Sequence, residues 1–331
     1  MRTNRNTPFF FKMNSLDQQF DNILKEKKPI NLYEPISYIL HQSGKKLRPQ
    51  LVKTASNLFD GDPVQVKHIM AAFEMLHNFT LIHDDIMDKA DIRRSEPTVY
   101  KKWNTNIAIL SGDALAVLAF QQLLKLDCDL EIQRQLSEIF TQTALEICEG
   151  QQFDLDFETA ENVTIAEYIN MIRLKTAVMF AGCLKSGALF AGADKNSLDA
   201  LYNLGIHLGI AFQLADDLLD VYADVDVFGK AVGGDIKDNK KTFLYLKALE
   251  VADDTQKSEL KKLYSSTQIT DNEKYTAVKN IYDALNIKEI TETEIKRYTQ
   301  MCLEDISKID STEEKKAFLL SLVKKLQKRD K

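Results

Sequence analysis

Two acidic triplets interrupt otherwise apolar stretches of this 331-residue chain, Asp84-Asp85-Ile-Met-Asp88 and Asp216-Asp217-Leu-Leu-Asp220. A helix advances about 100° per residue, so the first and third aspartates of each triplet lie about 40° apart, with the second about 60° further round. All three then share one arc of one helix. The flanks, from His77 and from Gly209, are mostly apolar, so both arcs read as buried rather than as solvated surface. Like charges crowded away from water resist ionisation unless something positive lies among them. A hard divalent cation fits, because magnesium takes oxygen ligands and shares them between carboxylates and a substrate's phosphates. One triplet would be a weak signal. Two embedded copies point to a paired metal site.

The cations are distributed to match. Ser43-Gly44-Lys45-Lys46-Leu47-Arg48-Pro49 opens a helix, where backbone N–H groups and basic side chains together hold anions. Taken alone it reads equally as an ordinary basic helix start. Arg93-Arg94 and Lys175-Thr176 say little in isolation, and His77 alone would be a satisfied core histidine. Together with two metal-binding helices they have the charge pattern for two diphosphates, one bridged by metal and the other gripped directly by cations.

Bulk composition narrows the class. Net charge is −6, so no general basic footprint for nucleic acid exists. Gly 12 and Pro 6 are too few for a turn-rich β protein. Cys128, Cys148, Cys183 and Cys302 lack Cys-x-x-Cys spacing and read as reduced core thiols of a cytoplasmic protein. The longest apolar stretch, Ile107 to Phe120, is interrupted by Asp113 and is read as too short for a membrane span. Residues 1–12 carry Phe9-Phe10-Phe11 but no signal-peptide pattern; they are expected to form a disordered extension before a single domain over 13–331.

Helical periodicity runs through the rest and positions the motifs. Helices are expected over 15–27, 34–42, 46–59, 64–89, 106–124, 129–151, 165–191, 196–222, 242–251, 254–265, 271–286, 290–308 and 312–328. Asp62-Pro63 and Thr312 with Glu314 look like starts, while Gly61 and Gly150 look like stops. No stretch sustains period-two alternation, so no sheet is expected. Basic loops, 90–98 and 228–242, follow the two acidic helices.

Six blocks, in order, resemble the trans-prenyl diphosphate synthase family: Gly44-Lys45-Lys-Leu-Arg48-Pro49; Leu81-Ile-His-Asp84-Asp85-Ile-Met-Asp88 through Arg93-Arg94; Ser111-Gly-Asp-Ala-Leu115; Lys175-Thr176; Phe212-Gln213-Leu-Ala-Asp216-Asp217-Leu-Leu-Asp220; and Gly229-Lys230 to Lys240. The resemblance implies an all-α isoprenoid-synthase helical bundle around a central apolar cavity, usually homodimeric. It implies head-to-tail transfer of an allylic diphosphate onto isopentenyl diphosphate with three Mg²⁺ ions. Carried over, Asp84, Asp88 and Asp216 would be the principal metal ligands, with Asp85, Asp217 and Asp220 supporting or as further ligands. Arg93, Lys175, Lys230 and Lys240 would hold the allylic diphosphate. Lys45 (with Gly44 in its turn), Arg48, His77 and Arg94 would hold isopentenyl diphosphate. Thr176 and Gln213 would face the reacting carbons, and Phe212 would pack on the isopentenyl group.

Ser43, Ser95 and Asn239 stand where the family often has glycine; all three suit turns, and Asn tolerates positive φ. In the family, residues four and five before the first triplet form the cavity floor that limits product length. Here they are Thr80 and Phe79. An aromatic residue at the second position resembles enzymes that make the C20 product geranylgeranyl diphosphate, with C15 farnesyl diphosphate next. An ideal helix wheel turns Thr80 rather than Phe79 toward the cavity, and Leu115 or Leu118 could intrude. Three other readings stand beside this one. A terpene cyclase would not need Lys45 and Arg48, and a regulatory subunit would not need both triplets. A di-iron bundle would need Glu-x-x-His twice, whereas Glu74-Met-Leu-His77 is the single instance.

Overall fold

A computed structural model describes residues 14–223, 233–266 and 268–327. The expected extension over 1–12, Gly229 and Lys230 lie outside these residues. The chain is all-α apart from one two-residue hairpin. In chain order the helices are α1 (Asn14–Leu24), α2 (Ile30–His41), α3 (Leu47–Leu58), α4 (Val66–Met87), α5 (Val99–Lys102), α6 (Thr105–Leu123), α7 (Leu130–Thr159) and α8 (Ile165–Ile172). A π-helical segment, Arg173–Ala177, leads into α9 (Val178–Phe190) and α10 (Lys195–Tyr222). There follow α11 (Gly234–Lys237), α12 (Phe243–Val251), α13 (Asp254–Ser265), α14 (Asp271–Ala284), α15 (Ile287–Ser307) and α16 (Glu313–Gln327).

Local chemistry explains many boundaries. Thr164 and Glu167 form a reciprocal capping box at α8, as do Asp253 with Gln256 at α13 and Thr270 with Glu273 at α14. Asn104 caps α6 by accepting from the Ile107 amide at 2.9 Å. The start read at Thr312 holds, its hydroxyl accepting from the Lys315 amide at 3.4 Å.

The chain divides into two compact units. The first comprises residues up to Thr141 together with Cys183–Asp194. Its centre is α4, buried almost all round from Ile69 to Leu76 and packed on α3 and α6. Such a helix must be covered on every side, and each fully buried Leu, Ile or Phe stabilises by about 1.5–3 kcal/mol. Phe73 meets Phe140 edge to face at 5.5 Å. The second unit comprises Gln142–Gly182 and Lys195 onward. Its centre is α10, which buries Leu204, Leu208 and Leu214 and packs on α15 and the π-helical segment.

Four expectations need correction. Gly150 is no helix stop: α7 runs on to Thr159. A Cβ at Gly150 would lie 2.2 Å from the Lys175 amide nitrogen, so glycine is there for close backbone approach. The expected absence of strands fails at Ile92–Arg93, which pairs antiparallel with Glu96–Pro97. Strands this short carry no alternation to read, and their two-residue turn places Arg94 and Ser95 at φ 53° and 66°, the left-handed pair of a type I′ turn. The cysteines are all free thiols, yet only Cys183 and Cys302 are buried; Cys148 is exposed. Finally, α6 is long and apolar enough by length and composition to cross a membrane, because a single Asp113 is tolerated in a window of that size. It packs on α4 and α2.

Candidate active site

In the first unit, the α4 residues Asp84, Asp85 and Asp88 go from half-buried to buried to exposed. Asp85 is 1% exposed, and Oδ1 accepts from both Nε and Nη2 of Arg93 at 2.8 Å. Its second oxygen, Oδ2, is buried with no hydrogen-bond partner. Burial raises the Asp85 pKa, opposed by the Arg93 charge and hydrogen bond. The hairpin carrying Arg93 therefore supplies a counter-charge that a helix alone could not.

His77 lies two turns before Asp84 on α4, half-buried. Its pKa falls well below the usual value, first through desolvation and then through repulsion by Arg48, Arg94, Arg93 and Lys46. Four cations thus act on one neutral imidazole, the field expected of an anion site. Between α2 and α3, Lys46 adopts φ 45° and reaches inward to the Leu40 carbonyl at 2.8 Å and to buried Glu74 at 3.1 Å. Asn78 donates to the same Glu74 oxygen at 3.2 Å. This pins the strap carrying Lys45 and Arg48 to the helix carrying His77. The Arg94 guanidinium packs against Gly44, where a Cβ would lie 3.3 Å from its central carbon.

Thr80 turns its hydroxyl back to the His77 carbonyl at 2.8 Å. Phe79 meets the His83 ring edge-on at 4.8 Å, and His83 occupies room left by Gly112 of α6, where a Cβ would lie 2.3 Å from its Nε2. Leu115 and Leu118 are buried on that same helix.

The second unit contains a pocket of about 660 Å³, counted to its open mouth. Lys175, Thr176, Gln213, Asp217 and Lys240 all line it. Lys175 and Thr176 come from the π-helical segment, which α10 approaches closely: a Cβ at Gly209 would sit 2.4 Å from the Ala177 Cα. That approach lets Thr176 donate to Gln213 Oε1 at 3.1 Å, while Gln213 Nε2 donates to Asp217 Oδ1 at 3.0 Å. The other Asp217 oxygen accepts from the Tyr168 hydroxyl. Desolvation, and then repulsion from Asp235, raises the Asp217 pKa well above the ordinary carboxylate range. Asp235 is raised by burial and by Asp220. Asp220 spends its two oxygens on the amides of Gly234 and Asp235, at 3.2 and 3.0 Å. Asp216 is half-buried on α10, and the Phe212 ring packs against Phe180 at 5.6 Å.

Several functional candidates escaped the sequence reading. Asp154 pairs with Lys175 at 2.6 Å, and Tyr168, Asp235 and Lys241 also line the pocket. Ending α7 at Gly150 had removed Asp154 from any helix, although helical periodicity continues through Phe153 and Phe157. Tyr168 and Asp235 carried no spacing signal.

Among the described residues no three His, Cys, Asp or Glu side chains gather at metal-binding distance. The donors nevertheless suit a hard cation. They are all oxygens, Asp85 Oδ2 is an unpartnered buried acceptor, and Asp217, Asp220 and Asp235 are acidic groups short of positive charge.

Comparison with known proteins gives the family and the fold. Residues 29–285 match the polyprenyl synthetase family. The chain is 40% identical to a geranylgeranyl diphosphate synthase of Methanosarcina mazei over 71% of its length and 72% of that protein's. It is 33% identical to a geranylgeranyl pyrophosphate synthase of Geoglobus acetivorans, covering 95% and 96% of the two chains. A crystal structure of a geranylgeranyl pyrophosphate synthase superposes with a TM-score of 0.90 at 40% identity, covering 96% of this chain and 98% of that one. The Corynebacterium glutamicum geranylgeranyl pyrophosphate synthase, solved with isoprenyl diphosphate and magnesium, matches at 0.85 and 25% identity over 96% and 98%.

The His77 environment has a testable sign. Its folded pKa lies below the unfolded value of 6.5, so the unfolded chain takes the proton first as pH falls. The stability held by neutral His77 is complete above that value and is lost below it, by about 1.4 kcal/mol per pH unit. Between pH 7 and pH 5 the parent should lose stability that a His77→Gln variant keeps, read from paired urea titrations; equal losses in the two would overturn the assignment.

Proposed function

The chain belongs to the polyprenyl synthetase family, and from that premise we propose how its residues divide the work. It is a trans-prenyltransferase, joining isopentenyl diphosphate head to tail with an allylic diphosphate and releasing pyrophosphate. Two observations carry the division of labour: the neutral His77 under four cations in the first unit, and the pocket lined by Lys175, Thr176, Gln213 and Asp217 in the second. The cyclase and regulatory-subunit readings find no support among the relatives.

In the first unit, Lys45, Arg48, His77 and Arg94 bind isopentenyl diphosphate. A neutral imidazole can donate a hydrogen bond to phosphate without adding to the crowd of positive charges. Asp84 and Asp88 would hold magnesium, while the Arg93 guanidinium offsets part of the cost of burying Asp85. In the second unit, Lys175 and Lys240 bind the allylic diphosphate, with Lys230 in the same role. Asp216 is the principal metal ligand there. Asp217 and Asp220, with their oxygens engaged by protein donors, support it, directly or through water. Three bound magnesium ions would stabilise the charge that develops on the departing diphosphate.

The remaining chemistry is done by protein dipoles. The Thr176 hydroxyl donates its hydrogen bond to Gln213 Oε1, and the Gln213 amide nitrogen donates in turn to Asp217. Lone pairs are therefore what Thr176 can offer an electron-poor allylic carbon, and that oxygen stabilises the cation as it forms. Attack by the isopentenyl double bond makes the new carbon–carbon bond, and loss of a proton to the released pyrophosphate restores an alkene. Met171, Ile172 and Phe157 in the pocket wall help to exclude water from the cation.

The product is C20 geranylgeranyl diphosphate, in keeping with an aromatic Phe79 before the first triplet and with the names of the relatives; C15 is the nearest alternative. We also propose a homodimer. Leu110 and Val117 of α6 are 59% and 61% exposed beside Pro29 and Leu32, an apolar face that a second copy would cover. The described cysteines are free thiols, in keeping with the cytoplasm.

Replacing Asp84 or Asp216 with alanine should lower turnover about 100-fold or more while leaving the helical circular-dichroism spectrum intact. Near-parental rates with labelled isopentenyl diphosphate and any allylic starter would refute the metal assignment. Phe79→Ala should shift products beyond C20 on reversed-phase chromatography; an unchanged distribution would put the floor elsewhere. Val117→Glu should sediment as a monomer where the parent sediments as a dimer.

A further inference from the structure

Lys274 stands on α14, in the first turn after a reciprocal Thr270–Glu273 cap, and it is only 4% exposed. Burying an ammonium costs several kcal/mol unless its donors are used well. Lys274 directs them at one turn of backbone: Nζ donates to the Lys237 carbonyl at 3.3 Å and to the Asn239 side-chain oxygen. The Tyr264 ring lies 5.2 Å away, within cation–π range.

The turn it grips is awkward for the chain. Asn239 sits at φ 58°, a left-handed conformation that most L-residues resist and Asn tolerates. The same turn delivers Lys240 to the wall of the second unit's pocket, with the Lys240 amide donating to the Asp235 carbonyl at 2.9 Å. The neighbouring α14 residue holds the other end of the segment. A Cβ at Gly233 would lie 2.4 Å from the Tyr275 ring, and the Tyr275 hydroxyl donates to the Val221 carbonyl at 2.8 Å. Two consecutive α14 side chains therefore fix residues 233–240 from outside the pocket.

We propose that Lys274 is a positioning residue for allylic-diphosphate binding: by holding Asn239 left-handed, it aims Lys240 into the pocket. The proposal rests on the pocket being the allylic-diphosphate site. The Lys274 partners Lys237, Asn239 and Tyr264 are not among the residues lining the pocket, so its effect passes through the turn. Glycine at 239 would hold the same backbone unaided, whereas a β-branched residue would resist it.

Steady-state kinetics with the two substrates varied separately provide the test. Lys274→Met should raise KM for the allylic diphosphate about tenfold, with kcat and KM for isopentenyl diphosphate within about twofold of the parent. Adding Asn239→Gly to Lys274→Met should recover most of that loss, which a general packing defect would not allow. Asn239→Val should reproduce the rise with α14 untouched, and carries the test by itself if Lys274→Met does not fold. An unchanged allylic KM in Lys274→Met or in Asn239→Val, or no recovery in the double variant, overturns the proposal. Lys240→Ala separates the two levels. If it leaves the allylic KM unchanged, the reading of the pocket falls together with Lys274's role; if it raises KM while Lys274→Met does not, only the latter falls.

Discussion

Negative charge taken out of water is the constraint around which both units are organised. Each carries an acidic triplet on a helix that is otherwise apolar, and each meets the resulting cost differently. In the first unit a short hairpin delivers Arg93 to Asp85. In the second, Asp217 is met by a phenol and an amide, and Asp220 by two backbone amides, none of which carries full positive charge. Burial raises the pKa of Asp217, Asp220 and Asp235, and Lys240, 3.9 Å from Asp235, offsets only part of the rise at Asp220 and Asp235. A protein could relieve this by substituting Asn. Keeping the acids makes sense where magnesium supplies the missing charge.

Much of this was legible before any coordinates. The triplets announce themselves because their chemistry is compressed into a few adjacent residues, and the glycine–lysine strap and the Lys175–Thr176 pair take their meaning from standing with them. Helix existence was equally clear, since long periodic apolar stripes and Ser, Thr or Asp caps leave strong local marks. What failed was long-range. Gly150 looked like punctuation because glycine usually is; its real role, admitting the Lys175 backbone, depends on a segment some 25 residues away. That one misreading also hid Asp154. The hairpin was hidden for a different reason: Arg94 and Ser95 occupy the left-handed positions that glycine or asparagine would normally advertise.

Other partners were beyond sequence reasoning altogether. Nothing near Lys46 suggests Glu74, and nothing near Asn239 suggests Lys274, because buried ion pairs and clamps are products of packing. These contacts tie together segments that the chain brings in from far apart in sequence. In both units a lysine that looks like one more basic residue in the sequence turns inward and serves the backbone instead. Counting cations along the chain therefore overstates how many can meet a phosphate.

Gly150 has a wider meaning for variation in such enzymes. A single methyl group there would shove aside the main chain that bears Lys175, so mutational tolerance at position 150 is governed by the lysine's placement as much as by helix propensity. Selection can thus act on catalysis at a site with no functional group of its own, and a residue defined by what it lacks becomes part of the enzyme's chemistry.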